Sequence, residues 1–249
     1  SLVDLDIHDI RDSAVTVVES NSILIDRCNL SDNTHHGNWK QGRGLCLNAS
    51  HNILLKNSQV NRNSGLGIHL NSSSLRIETS RVNDTFPDAD GDLGLGIAVW
   101  EASTAEIIQT EVSNNLAAGI TIYDGSSVNI DECNIHHNRP RPGSQTGYGA
   151  GILIDESTTN VSGAVISDNV GYGIYSNDSL LNMNNSVIRN NSTSPEGNYG
   201  RSLYIRSVTG TEVSSANVES SSILNNAGVG VAVFSDSSLT LAISVIAGT

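Results

Sequence analysis

Residues 107–138 read IIQTEVSNNLAAGITIYDGSSVNIDECNIHHN, and this stretch carries one pattern twice. Ile107, Thr110, Val112 and Asn115 stand in the same relative positions as Ile130, Cys133, Ile135 and Asn138. Between the two passes lie a short link, LAA at 116–118, and then Gly119 followed by Ile120-Thr121-Ile122. Extended in both directions, the closing turn position falls on Asn33, Asn63, Thr85, Asn115, Asn138, Asn169, Asn191 and Asn226, with Thr85 as the one substitution. Every second turn is followed by an insertion: 34–43 (THHGNWKQGR), 86–95 (FPDADGDLGL), 139–150 (RPRPGSQTGYGA) and 192–201 (STSPEGNYGR). The insertions alternate with the links SGL, LAA, VGY and AGV. The repeat is thus a double unit of about 53 residues, a period that signals a solenoid.

Counted back from the turn, the column at eight residues is apolar in all eight coils: Ile25, Leu55, Ile77, Ile107, Ile130, Val161, Met183 and Val218. The column at three residues is Leu30, Val60, Val82, Val112, Ile135, Ile166, Ile188 and Ile223. Between them, at five residues, stand Cys28, Ser58, Ser80, Thr110, Cys133, Ala164, Ser186 and Ser221, all small and expected to face inward where strands converge. Alternation with a period of two within short segments argues strands. The Gly-apolar-x-apolar segment after each turn supplies a third strand per coil, as in Gly67-Ile68-His69-Leu70 and Gly151-Ile152-Leu153-Ile154. The expected fold is all-β: a right-handed single-stranded parallel β-helix of about nine coils. Equivalent residues should then stack about 4.8 Å apart. Asn suits the turn because it hydrogen-bonds locally and tolerates left-handed backbone angles.

These G-x-G-I and I-x-x-N patterns resemble the parallel β-helix repeat family, the superfamily that includes pectate lyases, polygalacturonases and alginate epimerases. The resemblance covers almost the whole chain and speaks to fold. For the enzymes of that superfamily it implies a Lys or Arg base aided by Ca²⁺, or clustered aspartates as acid and base. No residue set here matches such a motif position by position. The nearest candidates are Asp124 and Asp155, from neighbouring coils, with Arg206 on the same side.

The 249 residues read as one β-helix domain, since each coil needs only its neighbours to bury its interior. Neither end shows an amphipathic helix or polar cap, so a piece of a longer chain is expected, or ends covered by neighbours through end-to-end or lateral self-association. A net charge of −13, with Lys40 and Lys56 the only lysines, disfavours nucleic-acid phosphate or an anionic membrane as partner. No run reaches membrane-spanning length. Cys28 and Cys133 sit in one inward column four coils apart, beyond disulfide reach. Alternation turns Cys46 outward and makes it the accessible thiol.

The insertions should form a comb along one edge with teeth roughly 10 Å apart, beside the third strand's outward rows. Those rows are Cys46 and Asn48, His69 and Asn71, Ala98 and Trp100, Thr121 and Tyr123, Leu153 and Asp155, Tyr175 and Asn177, Tyr204 and Arg206, Ala232 and Phe234. Trp39, Phe86, Tyr148, Tyr172 and Tyr199 lie in the adjoining insertions and links, so all ten aromatics gather on one side. Aromatic faces beside Asn, Asp and Arg suit sugar rings, whose C–H surfaces stack while their hydroxyls hydrogen-bond. The expected partner is a polysaccharide or cell-surface glycan, bound by a secreted or surface domain through Trp39, His69, Trp100, Tyr123, Tyr148, Asp155, Tyr175, Tyr199, Tyr204 and Arg206. The alternatives are a polysaccharide lyase, hydrolase or epimerase, and a structural stalk or adhesin scaffold. Asp88, Asp90 and Asp92 alternate around Gly91 in a geometry that Ca²⁺ favours, although the twelfth position from Asp88 is Val99 and excludes an EF-hand. Adjacent histidines on an extended chain point to opposite sides. His35 with His36, and His136 with His137, therefore read as solvated loop residues.

Overall fold

The computed structural model describes residues 1–35, 42–141, 149–193, 200–208 and 213–248. These residues form three parallel sheets of ten, ten and nine strands, with no helix among them. Each coil contributes one strand to each sheet. Thus the strands Ala118–Ile122, Ser127–Asp131 and Asn134–His136 follow one another around a single turn of the solenoid. The first of them pairs in parallel with Ala150–Asp155 of the next coil, aligning Ile120 with Ile152 and Thr121 with Leu153. The architecture is the right-handed parallel β-helix expected from the repeat.

The two apolar columns are the core. Ile77, Ile107, Val82 and Val112 are fully buried, as are the inward residues of the third sheet, Ile97, Val99, Ile120 and Ile122. One contiguous cluster runs from Val15 to Ile223 inside the triangle. Continuous stacking of branched side chains down the axis lets a narrow interior exclude water without any element longer than six residues. Corners are made by left-handed residues. In the coil just described these are Asp124 (φ 57°), Glu132 (φ 51°) and His137 (φ 56°). The left-handed residue is therefore the one preceding each ladder Asn, not the Asn itself, and this corrects the expectation for the turn. The column Asp32, Arg62, Asp84, Asn114, His137, Asp168, Asn190 and Asn225 carries it throughout.

The buried turn asparagines are bonded along the axis. Asn138 donates through its backbone N–H and its Nδ2 to Asn169 Oδ1, at 3.0 and 2.9 Å, while its own Oδ1 accepts from Asn115 N and Nδ2 at 3.1 and 2.9 Å. The glycine near the start of most third strands leaves room for this carboxamide: a Cβ on Gly119 would lie 2.8 Å from Asn138 Nδ2 and 2.7 Å from Gly151 O. The small inward column is a second ladder. Ser58 Oγ accepts from Cys28 N at 3.0 Å and donates to Lys56 O at 2.7 Å, and Ser80 repeats the arrangement one coil on. A third ladder at the remaining corner was not read from the sequence. It joins Ser20 N to Ser50 Oγ, and passes through Ser73, Ser103, Ser126, Ser157 and Ser179 to Ser214, each hydroxyl accepting from the preceding coil's N–H. Serine suits both because it turns back onto its own backbone two residues away and still accepts from the neighbouring coil.

Candidate functional site

The third sheet presents two outward rows, and they behave differently. The inner one, Cys46, His69, Ala98, Thr121, Leu153, Tyr175, Tyr204 and Ala232, is buried throughout, against the expectation that it faces solvent. Stacked neighbours on this face cover one another and are flanked by Leu66, Leu95, Ala118, Ala150 and Tyr172, which together form a second apolar layer outside the sheet. Cys46 is consequently 1% exposed and is not an accessible thiol. Its Sγ lies 3.8 Å from His69 Nδ1 and takes a 3.4 Å contact from Arg43 Nη1. Burial, with the Arg43 charge as the smaller cause, pulls His69 down to about 4, and burial raises the Cys46 thiol. Both groups are neutral near pH 7.

The outer row carries the accessible chemistry. Trp100 and Tyr123, in register on adjacent coils, stack at 6.0 Å between centroids and 20° between planes, and both are half-buried. Trp100 also meets the His69 ring edge-on at 5.0 Å. Further along the row Asn177 Nδ2 donates to Asp155 Oδ1 at 2.6 Å, and Arg206 Nε donates to Asn177 Oδ1 at 3.1 Å. Asp155 and Arg206 are thus brought together, but through Asn177. Tyr175 and Tyr204 stack at 5.2 Å, with Arg206 over Tyr175 and Arg201 over Tyr204 at 5.4 and 4.6 Å. Phe234 continues the aromatic line beyond Tyr204.

Where the insertions are replaced by the short link Leu116–Ala118, a cleft of about 430 Å³ opens. Ala118, Thr121 and Leu153 form its floor, Leu93 and Leu95 of the second insertion one wall, and Arg141 of the third insertion the other, with Trp100, Tyr123 and Asp124 at one end. Arg141 ties the two walls by donating to Gly91 O at 2.8 Å and Asp92 Oδ1 at 2.5 Å. Trp100, Tyr123, Asp124 and the outward Leu153 are legible in the sequence as residues of this side, whereas Arg141 and Leu93 are not singled out there. The signal available for them was the alternation of long insertions with short links, which sets Leu116–Ala118 between two insertions.

Asp88, Asp90 and Asp92 form a self-contained loop. Asp88 Oδ1 accepts from the backbone N–H of Asp90 and Asp92 at 3.1 and 2.8 Å, and Asp92 is turned to Arg141. Among the described residues no group of three or more His, Cys, Asp or Glu is placed to share a metal ion. Trp39, Tyr148, Tyr199, His36 and Lys40 lie outside the described residues. The expectation that His136 and His137 point apart is overturned: their Nδ1 atoms are 2.7 Å apart. His137 is left-handed rather than extended, which bends both side chains to one side of the corner.

The family model described as "Right handed beta helix region" matches residues 2–91 and 90–246. No curated protein matches the chain. Among solved structures, the chain resembles the crystal structure of PfbA, a surface adhesin of Streptococcus pneumoniae, with 11% identity and a TM-score of 0.34, over 96% of this chain and 70% of that one. A second structure of that Streptococcus pneumoniae surface protein and adhesin gives 10% identity and a TM-score of 0.30, over 95% and 78% of the two chains.

Proposed function

We propose that this chain, which belongs to the right-handed β-helix family, is an extracellular or cell-surface domain that binds a linear polysaccharide in the cleft over the Leu116–Ala118 link. The observation that carries this reading is the stacked Trp100–Tyr123 pair at the end of an apolar-floored cleft rimmed by Asp124 and Arg141. A sugar ring needs an apolar plane for its C–H face and directional polar groups at its edge, and the cleft supplies both within one coil spacing. The Arg141 bridge to the second insertion holds the walls at a set width, so little ordering is required on binding. The Asp155–Asn177–Arg206 row extends the polar edge along the axis, the direction a linear polymer would follow. Its groups are hydrogen-bonded to one another, which suits recognition of hydroxyls more than the separated acid and base of a hydrolase.

A glycan array read for both retention and cleavage products, with and without Ca²⁺, tests the proposal. Retention without cleavage is the expected result, and cleavage products would replace the binding reading with an enzymatic one. The Ca²⁺ arm asks whether the Asp88–Asp92 loop holds an ion during binding. Silence across polysaccharide classes in both arms contradicts the proposal.

A further inference from the structure

We propose that His136 and His137 form a two-nitrogen chelate for a divalent transition metal with tetragonal geometry, Cu²⁺ foremost and Ni²⁺ second. The site lies at the corner between the second and third sheets, one residue before the ladder Asn138, and is separate from the cleft.

Three observations converge on it. The first is the bite. His136 Nδ1 and His137 Nδ1 are 2.7 Å apart, with ring centroids at 4.9 Å and planes at 83°. Two nitrogens each about 2.0 Å from a metal and at right angles to it are about 2.8 Å apart, whereas a tetrahedral Zn²⁺ site spreads them to about 3.3 Å. The observed separation matches adjacent corners of a square plane.

The second is the backing carboxylate. His136 Nε2 lies 3.5 Å from Glu111 Oε1 on the preceding coil. A carboxylate beside the far nitrogen is the usual arrangement behind an imidazole that binds a metal through its other nitrogen. Glu111 and Asp168 also bring negative charge to the pair from the coils on either side, which offsets the cost of placing a dication there.

The third is rigidity. The left-handed angle of His137 is imposed by its place in a corner column that includes Asn114, Asp168 and Asn190, and its N–H is bonded to Ser167 O. The backbone that carries the two rings is therefore fixed by the solenoid and is not part of a mobile loop.

The test is titration of the purified chain with CuCl₂, NiCl₂ and ZnCl₂ by calorimetry, with electron paramagnetic resonance of the Cu²⁺ form. His137→Asn is the decisive variant, because Asn already occupies this corner at positions 114 and 190 and the fold tolerates it there. His35→Asn serves as the control on the other adjacent pair. The expected result is one Cu²⁺ per chain with an axial spectrum coupled to two nitrogens. Affinity should fall at least tenfold, with one nitrogen coupling lost, in His137→Asn but not in His35→Asn. Glu111→Gln should weaken binding while keeping both nitrogens. Absence of Cu²⁺ binding, or equal affinity in His137→Asn, would overturn the site and leave the contact as a hydrogen bond between two rings.

Discussion

Thr85 stands directly beside Asn115 in the corner ladder, donating its backbone N–H to Asn115 Oδ1 at 3.1 Å while its own buried hydroxyl has no hydrogen-bond partner among the described residues. At every other rung described a carboxamide fills that place, and at Asn115, Asn138, Asn169 and Asn191 it bonds to the coil on each side. Gly67 leaves space for one, as Gly96 does for Asn115. Thr85→Asn should therefore complete the ladder and stabilise the fold by about 1 kcal/mol, the ordinary net worth of a buried hydrogen bond. A urea midpoint that fails to rise would contradict this account of the corner.

The reverse change should be costly. Asn138→Ala removes the acceptor of Asn115 N and Nδ2 and leaves buried donors unpaired, at about 3 kcal/mol. Gly119→Ala drives a Cβ against Gly151 O and the same carboxamide, and should cost a comparable amount. Chemical denaturation of the two variants checks both.

How much of this could be read from the sequence depended on whether a residue's role repeats. Ile77, Ile107 and Ile130 recur in register, so the core and the number of strands per coil were legible. The Ser50-to-Ser214 ladder recurs as well, but it falls at the corner just after the third strand, outside the span counted back from the turn Asn. The burial of Cys46, Tyr175 and Tyr204 was hidden for another reason. Alternation tells inside from outside the triangle, yet it cannot tell an outward side chain in water from one covered by stacked neighbours. The meeting of His136 and His137 depended on one left-handed residue, which local sequence does not announce when the residue is His.

His69 makes stability depend on pH. In the unfolded chain it titrates near 6.5, and in the fold at about 4. As pH falls, the unfolded chain takes up the proton first, so stability present above about pH 6.5 is lost progressively down to about pH 4, by about 3 kcal/mol. His69→Gln should show a smaller loss over that window than the parent. Parallel pH profiles of the two proteins would contradict the assignment.

The cysteines give a simple check on the second apolar layer. Cys28, Cys46 and Cys133 are all buried, and burial lifts Cys133 to about 11. A disulfide reagent should find no rapidly reacting thiol in the native protein and three after denaturation. Fast reaction of one thiol in the native state would place Cys46 at the surface after all.

The cleft reading stands or falls on its aromatic platform. On the polysaccharide retained by the parent protein, Trp100→Ala and Tyr123→Ala should each lower affinity at least tenfold, about 1.4 kcal/mol, while the melting temperature confirms that each variant is folded. Unchanged binding by both folded variants would contradict a polysaccharide site at Trp100 and Tyr123.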